Sequence, residues 1–323
     1  MKALYFETTG MPEDVLKLGE LPVPRPASGE CLVRVLACSI NPADFLFISG
    51  KYGIKPSFPQ IAGMDGVGIV ESSRNKIPQG SLVAFRHMNV WADYVVVPEG
   101  QLIPLPQEFP LEKAAQLFLN AGTAWGLLDR AKLKAGDWLL LTAGNSTIAK
   151  TVAQMAHGRG IKTIACVREA SHAANLQDFR VSQIINTSET GEDLDQKILH
   201  ITQGKGVSGF FDAVGGPVSS TLIKGMAAES TLIVYGLLSN ETVCYHNSTI
   251  LYKALKIEGF RIGQHVASLP DRSGTFQEIA GIVKSPEFRM DIGGKFPLSA
   301  YPEAIKSSRI NAHNGKMIFW FAD

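Results

Sequence analysis

WLLLTAGNSTIAKTVAQMA, residues 138–156, is the stretch from which the fold can be read. An apolar run enters a loop of small residues, and a helical pattern follows at once. The run 138–142 leaves no room for a polar face, as expected of a central parallel strand covered on both sides. The small side chains of Ala143, Gly144, Ser146 and Ala149 let a diphosphate approach the backbone at the positive N-terminus of the next helix. Gly144, Asn145, Ser146, Thr147 and Ile148 are therefore candidate nucleotide contacts. Ser146 and Ala149 stand where a dinucleotide fingerprint usually carries glycines, so an ordinary strand–helix turn competes at this point.

KTIACV, residues 162–167, reads as the second strand. Its C-terminal end is where a dinucleotide fold meets the adenosine ribose. An acidic residue there would accept from the 2′-hydroxyl of NAD. This chain carries Arg168 instead, at about the spacing such a fold requires. A guanidinium suits the 2′-phosphate of NADPH, which it grips with two parallel hydrogen bonds. A solvated arginine at a strand end is the alternative. Strand, small-residue loop, helix, strand and arginine in register favour a dinucleotide.

The chain has 323 residues, 45% hydrophobic and 19% charged, with net charge +1. Length allows two domains with cores of their own. No cluster of Lys and Arg provides a nucleic-acid surface. No apolar run approaches the roughly 20 residues of a membrane-spanning helix. The strand-like KALYFE at residues 2–7 leaves no room for a targeting peptide, so a cytoplasmic protein is expected. The four cysteines, Cys31, Cys38, Cys166 and Cys244, form no CxxC pair and read as small hydrophobes. The seven histidines show no metal-ligand spacing.

Residues 1–118 are rich in short strands and turns, broken by Pro22, Pro24, Pro26, Pro42, Pro56 and Pro59. Alternating runs at 31–37 and 67–71, with 94–97, suggest a small β-barrel-like unit. From Glu112 the texture changes to helix and then to strands alternating with helices, among them 171–177, 193–202, 209–213, 218–226 and 231–235. That alternation signals βαβ units and a parallel sheet. After Leu255 the mixed texture returns and ends in KMIFWF at 316–321. The expected division is 1–118 with 257–323 as one domain and 119–256 as an inserted one. Residues 243–252, VCYHNSTILY, have the composition of an edge strand, which invites a two-fold mate and a homodimer.

INPADFLFISGKYGIKPSFPQIAGMDGVGIV at 40–70, NAGTAW at 120–125, DAVGG at 212–216, Tyr235-Gly236 and LYKALKIEGF at 251–260 together resemble the medium-chain dehydrogenase/reductase superfamily. Within it the chain is most similar to the zinc-independent branch of quinone oxidoreductases and 2-enoyl thioester reductases. The resemblance implies an α/β fold, a GroES-like β-barrel catalytic domain with an inserted Rossmann dinucleotide-binding domain. Zinc-dependent members place a Cys and a His-Glu pair where this chain has Asn41 and Met64-Asp65. An amide and a thioether are poor substitutes for thiolate and imidazole on Zn²⁺, so no metal is expected.

The resemblance further implies reduction by NADPH of a C=C bond conjugated to a carbonyl, with charge collecting on the oxygen as an enolate. Tyr52, in GKY, is the implied proton donor or carbonyl anchor. A phenol is a neutral donor near pH 7; a lid over a core edge is the other role open to it. Asn41 is implied as a nicotinamide contact or its support, with an Asx-turn before Pro42 as the alternative. Asp44 reads as a structural hydrogen bonder. Asn120, Thr123, Val214, Gly215, Tyr235, Gly236 and Phe260 complete the implied cofactor set. Lys316 is implied to reach a phosphate, unless it is a solvated strand lysine. Arg261 replaces an aromatic residue frequent in enoyl reductases. The acceptor expected first is a 2-enoyl thioester, or another small unsaturated carbonyl compound. A quinone reductase and an NADPH-binding protein without turnover are the alternatives.

Overall fold

The computed structural model describes residues 1–73, 76–169, 171, 175–188 and 193–322. By their contacts they divide into two units, Met1–Asn120 with Ser273–Asp323, and Ala121–Arg272. The first eight strands lie in the first unit: β1 Lys2–Phe6, β2 Lys17–Glu20, β3 Glu30–Ser39, β4 Gln60–Ile61, β5 Asp65–Ser73, β6 Leu82–Arg86, β7 Tyr94–Pro98 and β8 Leu102–Leu105. Strands β2, β1 and β4 form a small sheet in that order. Along β3 the side chains alternate between half-buried and buried, as a sheet with one face on a core demands.

The second unit holds β9 Trp138–Leu141, β10 Lys162–Val167, β11 Gln183–Asn186, β12 Val207–Asp212, β13 Met226–Val234 and β14 Lys256–Gly259. Their order is β11-β10-β9-β12-β13-β14, with every pairing parallel. This is the doubly wound order, in which the chain reverses direction across the sheet after its first three strands. The Rossmann expectation is met here. The helix expected at 171–177 lies partly outside the described residues; a 3₁₀ turn covers Leu176–Phe179.

Two expectations are corrected. Residues 243–252 are not an edge strand: Asn247–Lys253 is a helix, opened by the His246 ring accepting from the Ser248 N–H at 3.2 Å. Side chains that bond the first N–H groups favour a helix start over a ladder. The sheet edge is β14 instead. The return to the first unit also comes later than 257, because β14 pairs with β13 and Phe260 and His265 pack on Gly126.

The last two strands, β15 Ile292–Phe296 and β16 Lys316–Trp320, rejoin the first unit in a sheet ordered β15-β16-β3-β5-β6-β8, with β7 also on β3. Its core gathers Leu4, Phe6, Phe47, Phe85, Trp91 and Phe319. Cys31, Cys38 and Cys166 are buried as expected of small hydrophobes, whereas Cys244 is exposed. No helix among the described residues is long and apolar enough to cross a membrane.

Candidate active site

In the parallel-sheet unit the strand order reverses at β9, between β10 and β12. Ligands of such sheets bind beyond the C-terminal strand ends at that point. The loop after β9 is held down by the Gly144 N–H, which donates to the Cys166 carbonyl at 2.8 Å. A Cβ on Gly144 would lie 2.7 Å from the Ala165 Cβ, so the loop's own packing on β10 demands glycine. Ser146, in place of a further glycine, caps the helix Thr147–Gly158, its Oγ accepting from the Ala149 N–H at 3.2 Å. The N–H groups of Thr147 and Ile148 lie in the first turn, where no intrahelical acceptor exists. Asn145, Ser146, Thr147 and Ile148 are all half-buried. Arg168 directly follows β10 and is exposed. It lies three residues past Ala165, as Gly144 lies three past Leu141, the residue paired with Ala165.

Asp212, at the end of β12, organises the neighbouring loop. Its Oδ1 accepts from the Thr142 hydroxyl at 2.7 Å and from the N–H groups of Val214 and Gly215 at 3.0 and 3.1 Å. A Cβ on Gly236 would come within 2.7 Å of the Ala213 carbonyl oxygen, so the two strand-end loops touch through glycine. Burial raises the Tyr235 phenol, with Asp212 adding to the effect and a hydrogen bond to Ser146 opposing it. Thr123 and Phe260 are buried in this unit.

The other candidates belong to the first unit, where they build a buried ionic cluster. Asn41 precedes the helix Pro42–Ile48, and its N–H donates to Asp44 Oδ2 at 2.8 Å. The Asn41 amide reaches Asp65 Oδ1 through Nδ2 at 3.0 Å. Its Oδ1 accepts from Lys316 Nζ at 2.9 Å and from Asn120 Nδ2 at 3.3 Å. The Leu119 N–H donates to Asp65 Oδ2 at 3.2 Å. Both carboxylates are fully buried and Lys316 is 8% exposed. Burial pushes Asp44 up to about 8, reinforced by Asp65, and Asp65 up to about 7. Burial draws Lys316 down to about 8 against the pull of Asp65 and Asp44.

Lys316 is thus neither a solvated strand lysine nor free to reach a phosphate, because its ammonium is held inside the cluster. Asn41, 2% exposed with both ends of its amide engaged, serves the cluster as well. Tyr52 is half-buried against the core, its N–H bonded to the Leu46 carbonyl at 3.0 Å. Its hydroxyl accepts from Arg86 Nη2 at 3.3 Å.

The Alcohol dehydrogenase GroES-like domain family matches residues 27–107, and the Zinc-binding dehydrogenase family matches 147–280. The mitochondrial enoyl-[acyl-carrier-protein] reductase of Bos taurus is 30% identical over 280 residues, covering 82% of this chain and 73% of that protein. The chain belongs to the medium-chain dehydrogenase/reductase superfamily. The Dictyostelium discoideum protein of the same name is 28% identical across 98% of this chain and 94% of its own length. A solved structure from Bacillus thuringiensis, described as an NADPH:quinone reductase, superposes with a TM-score of 0.91 at 25% identity, over 99% of this chain and 98% of that one. A mycobacterial protein solved with NADPH shares the fold, with a TM-score of 0.90 at 23% identity over 99% and 100% of the two chains.

One matching family of this medium-chain dehydrogenase/reductase chain is described as zinc-binding, and the residues expected in place of zinc ligands are Asn41 and Met64-Asp65. Asn41 Oδ1 already accepts from Lys316 and Asn120, and Met64 is fully buried. Among the described residues no three His, Cys, Asp or Glu side chains come together as a metal-holding group. Sequence reasoning missed Arg86 and gave no cofactor-side role to Asp212. Arg86 carries no motif; its cross-strand pairing with Asp65 is the signal, and it appears only with the register. Arg261 is exposed and bonded to Gln264 at 3.1 Å.

Proposed function

We propose that the chain reduces the C=C bond of an α,β-unsaturated carbonyl compound, a 2-enoyl thioester first among them, with NADPH as reductant and without zinc. The observation that carries this is the state of Asn41: its carbonyl oxygen is committed to Lys316 and Asn120, leaving no lone pair for a Lewis acid. Charge developing on a substrate oxygen must then be met by hydrogen-bond donors. The curated relatives named enoyl-[acyl-carrier-protein] reductase support the thioester.

The capped first turn at Thr147 and Ile148 fits a diphosphate, and the exposed Arg168 fits the 2′-phosphate of NADPH. Reduced nicotinamide, when bound, supplies a hydride to the β-carbon. The chain's own part is to meet the resulting enolate: the Tyr52 hydroxyl donates to the carbonyl oxygen or gives its proton to the α-carbon. The Bacillus thuringiensis neighbour favours a quinone as the second candidate acceptor.

NADPH oxidation measured with crotonyl-CoA, longer enoyl-CoAs, simple enones and a naphthoquinone tests the proposal. An enoyl thioester should give the highest kcat/KM by about tenfold, or about 1.4 kcal/mol. A quinone in first place would overturn it in favour of the second acceptor. Tight NADPH binding with no acceptor reduced would leave a binding protein.

We also propose a homodimer. The free edge of β14, with exposed Ile257 on it and exposed Leu251 and Tyr252 on the preceding helix, suits a second copy of the chain. Light scattering at micromolar concentration should give twice the 34.9 kDa chain mass; the monomer mass would refute it.

A further inference from the structure

We propose that Arg86 is the positioning residue that turns Tyr52 into a one-way proton donor. This rests on the role given to Tyr52 above and adds to it the group that sets the polarity of its hydroxyl. Arg86 ends β6, and its cross-strand partner is Asp65, the first residue of β5. Arg86 is half-buried, and the Asp65 it faces is bonded to the same Asn41 amide that holds Lys316. Arg86 Nη2 reaches the Tyr52 hydroxyl at 3.3 Å. Its Nε is buried without a hydrogen-bond partner.

A guanidinium has five N–H donors and no acceptor. In its bond to Tyr52 the phenol oxygen can only accept. The phenol's single proton is then excluded from that bond and directed elsewhere. A side chain that both donates and accepts, such as an amide, would allow the phenol to turn its proton back toward its neighbour. The second consequence is electrostatic. When the Tyr52 O–H bond breaks and a C–H bond forms at the substrate's α-carbon, the oxygen keeps the electron pair. The guanidinium stabilises that charge at short range in a partly dry site. Water returns the proton before the next turnover, and the hydride at the β-carbon comes from the NADPH of the proposed reaction.

Asp44 and Asp65 are fixed inside, one by the Asn41 N–H and the other by the Asn41 amide and the Leu119 N–H. The Asn41 side-chain carbonyl holds the Lys316 ammonium, and Asp65, bonded to the same amide, faces Arg86 across the strand pair. Through its place at the end of β6, Arg86 connects the strand pair that carries Asp65 to the Tyr52 hydroxyl.

The test is a double-mutant cycle on single-turnover NADPH oxidation with the best acceptor of the scan. Arg86→Gln should slow the step by about 10- to 100-fold with Tyr52 present, the range of a lost charge-assisted bond. In the Tyr52→Phe background the same change should cost less than about threefold, because the group being oriented is already gone. KM for the acceptor and affinity for NADPH should stay within about threefold in all variants. Arg86→Lys, which keeps a donor-only cation, should lose less than Arg86→Gln. It takes that variant's place in the cycle if the glutamine protein does not fold. Equal losses in the two backgrounds would overturn the inference and make Arg86 structural. No loss in Tyr52→Phe alone would instead sink the role of Tyr52, so the two failures are told apart.

Discussion

The two candidate sets are built on opposite principles. The loop and helix start at Gly144–Ile148, with Arg168, use backbone N–H groups, a serine cap and an exposed cation, all within a short span of chain. The Asn41 cluster uses buried side chains of both charges, brought together from the two ends of the chain. A partly exposed backbone site asks little of its residue identities beyond size and a cap. A buried ionic cluster depends on every member, because each charge is compensated only by the others. Substitutions should therefore be graded and ligand-specific in the first, and global in the second.

The largest difference between the two should come from Lys316→Met. At pH 7, where Lys316 is mostly protonated, it removes the ammonium beside the buried Asp44 and Asp65 and should cost about 3–5 kcal/mol of stability. Urea denaturation measures it, and a cost below about 1 kcal/mol would mean the cluster is not electrostatically coupled.

Arg168→Ala belongs to the other principle. It should raise KM for NADPH by about 10- to 100-fold and leave NADH kinetics and stability nearly unchanged. Equal losses with both cofactors would make Arg168 structural and blur the contrast.

The smallest effect concerns pH. Asp44, raised to about 8 in the folded chain from 3.8, holds a proton that the unfolded chain has released across that interval. Folding therefore loses stability as pH rises from about 4 to about 8 on account of this group. Asp44→Asn removes that dependence while keeping an acceptor for the Asn41 N–H. Its melting temperature relative to the parent should rise by about 2–5 °C between pH 5 and pH 8. A constant difference would show that Asp44 is ionised throughout. Above pH 8 the sign reverses through Lys316, lowered to about 8 from 10.5, since there the unfolded chain holds the extra proton.

The contrast also governs what could be read in advance. The loop after β9 was legible because strand, loop, cap and helix are consecutive, and each leaves a local signature at residues 138–158. The cluster was not, because sheet register makes its contacts. Strand β16 runs antiparallel to β3, pairing Ile318 with Ser39. Continued two residues, that register sets Lys316 beside Asn41, and no periodicity in either segment announces it. Arg86 and Asp65 meet in the same way across β5 and β6. Residues 243–252 misled for a related reason: their Val, Tyr, Ile and Leu match a strand by composition, while the His246 cap that starts a helix is a local contact of low sequence visibility.

Tyr52→Phe is the most direct test of the central claim, that a hydrogen-bonding phenol does here what a metal would otherwise do. The substitution keeps the ring against the core and removes the hydroxyl. Single-turnover NADPH oxidation with the best enoyl thioester should slow by roughly 10²–10³-fold while NADPH affinity stays near the parent value. A rate within about threefold of the parent enzyme would contradict it.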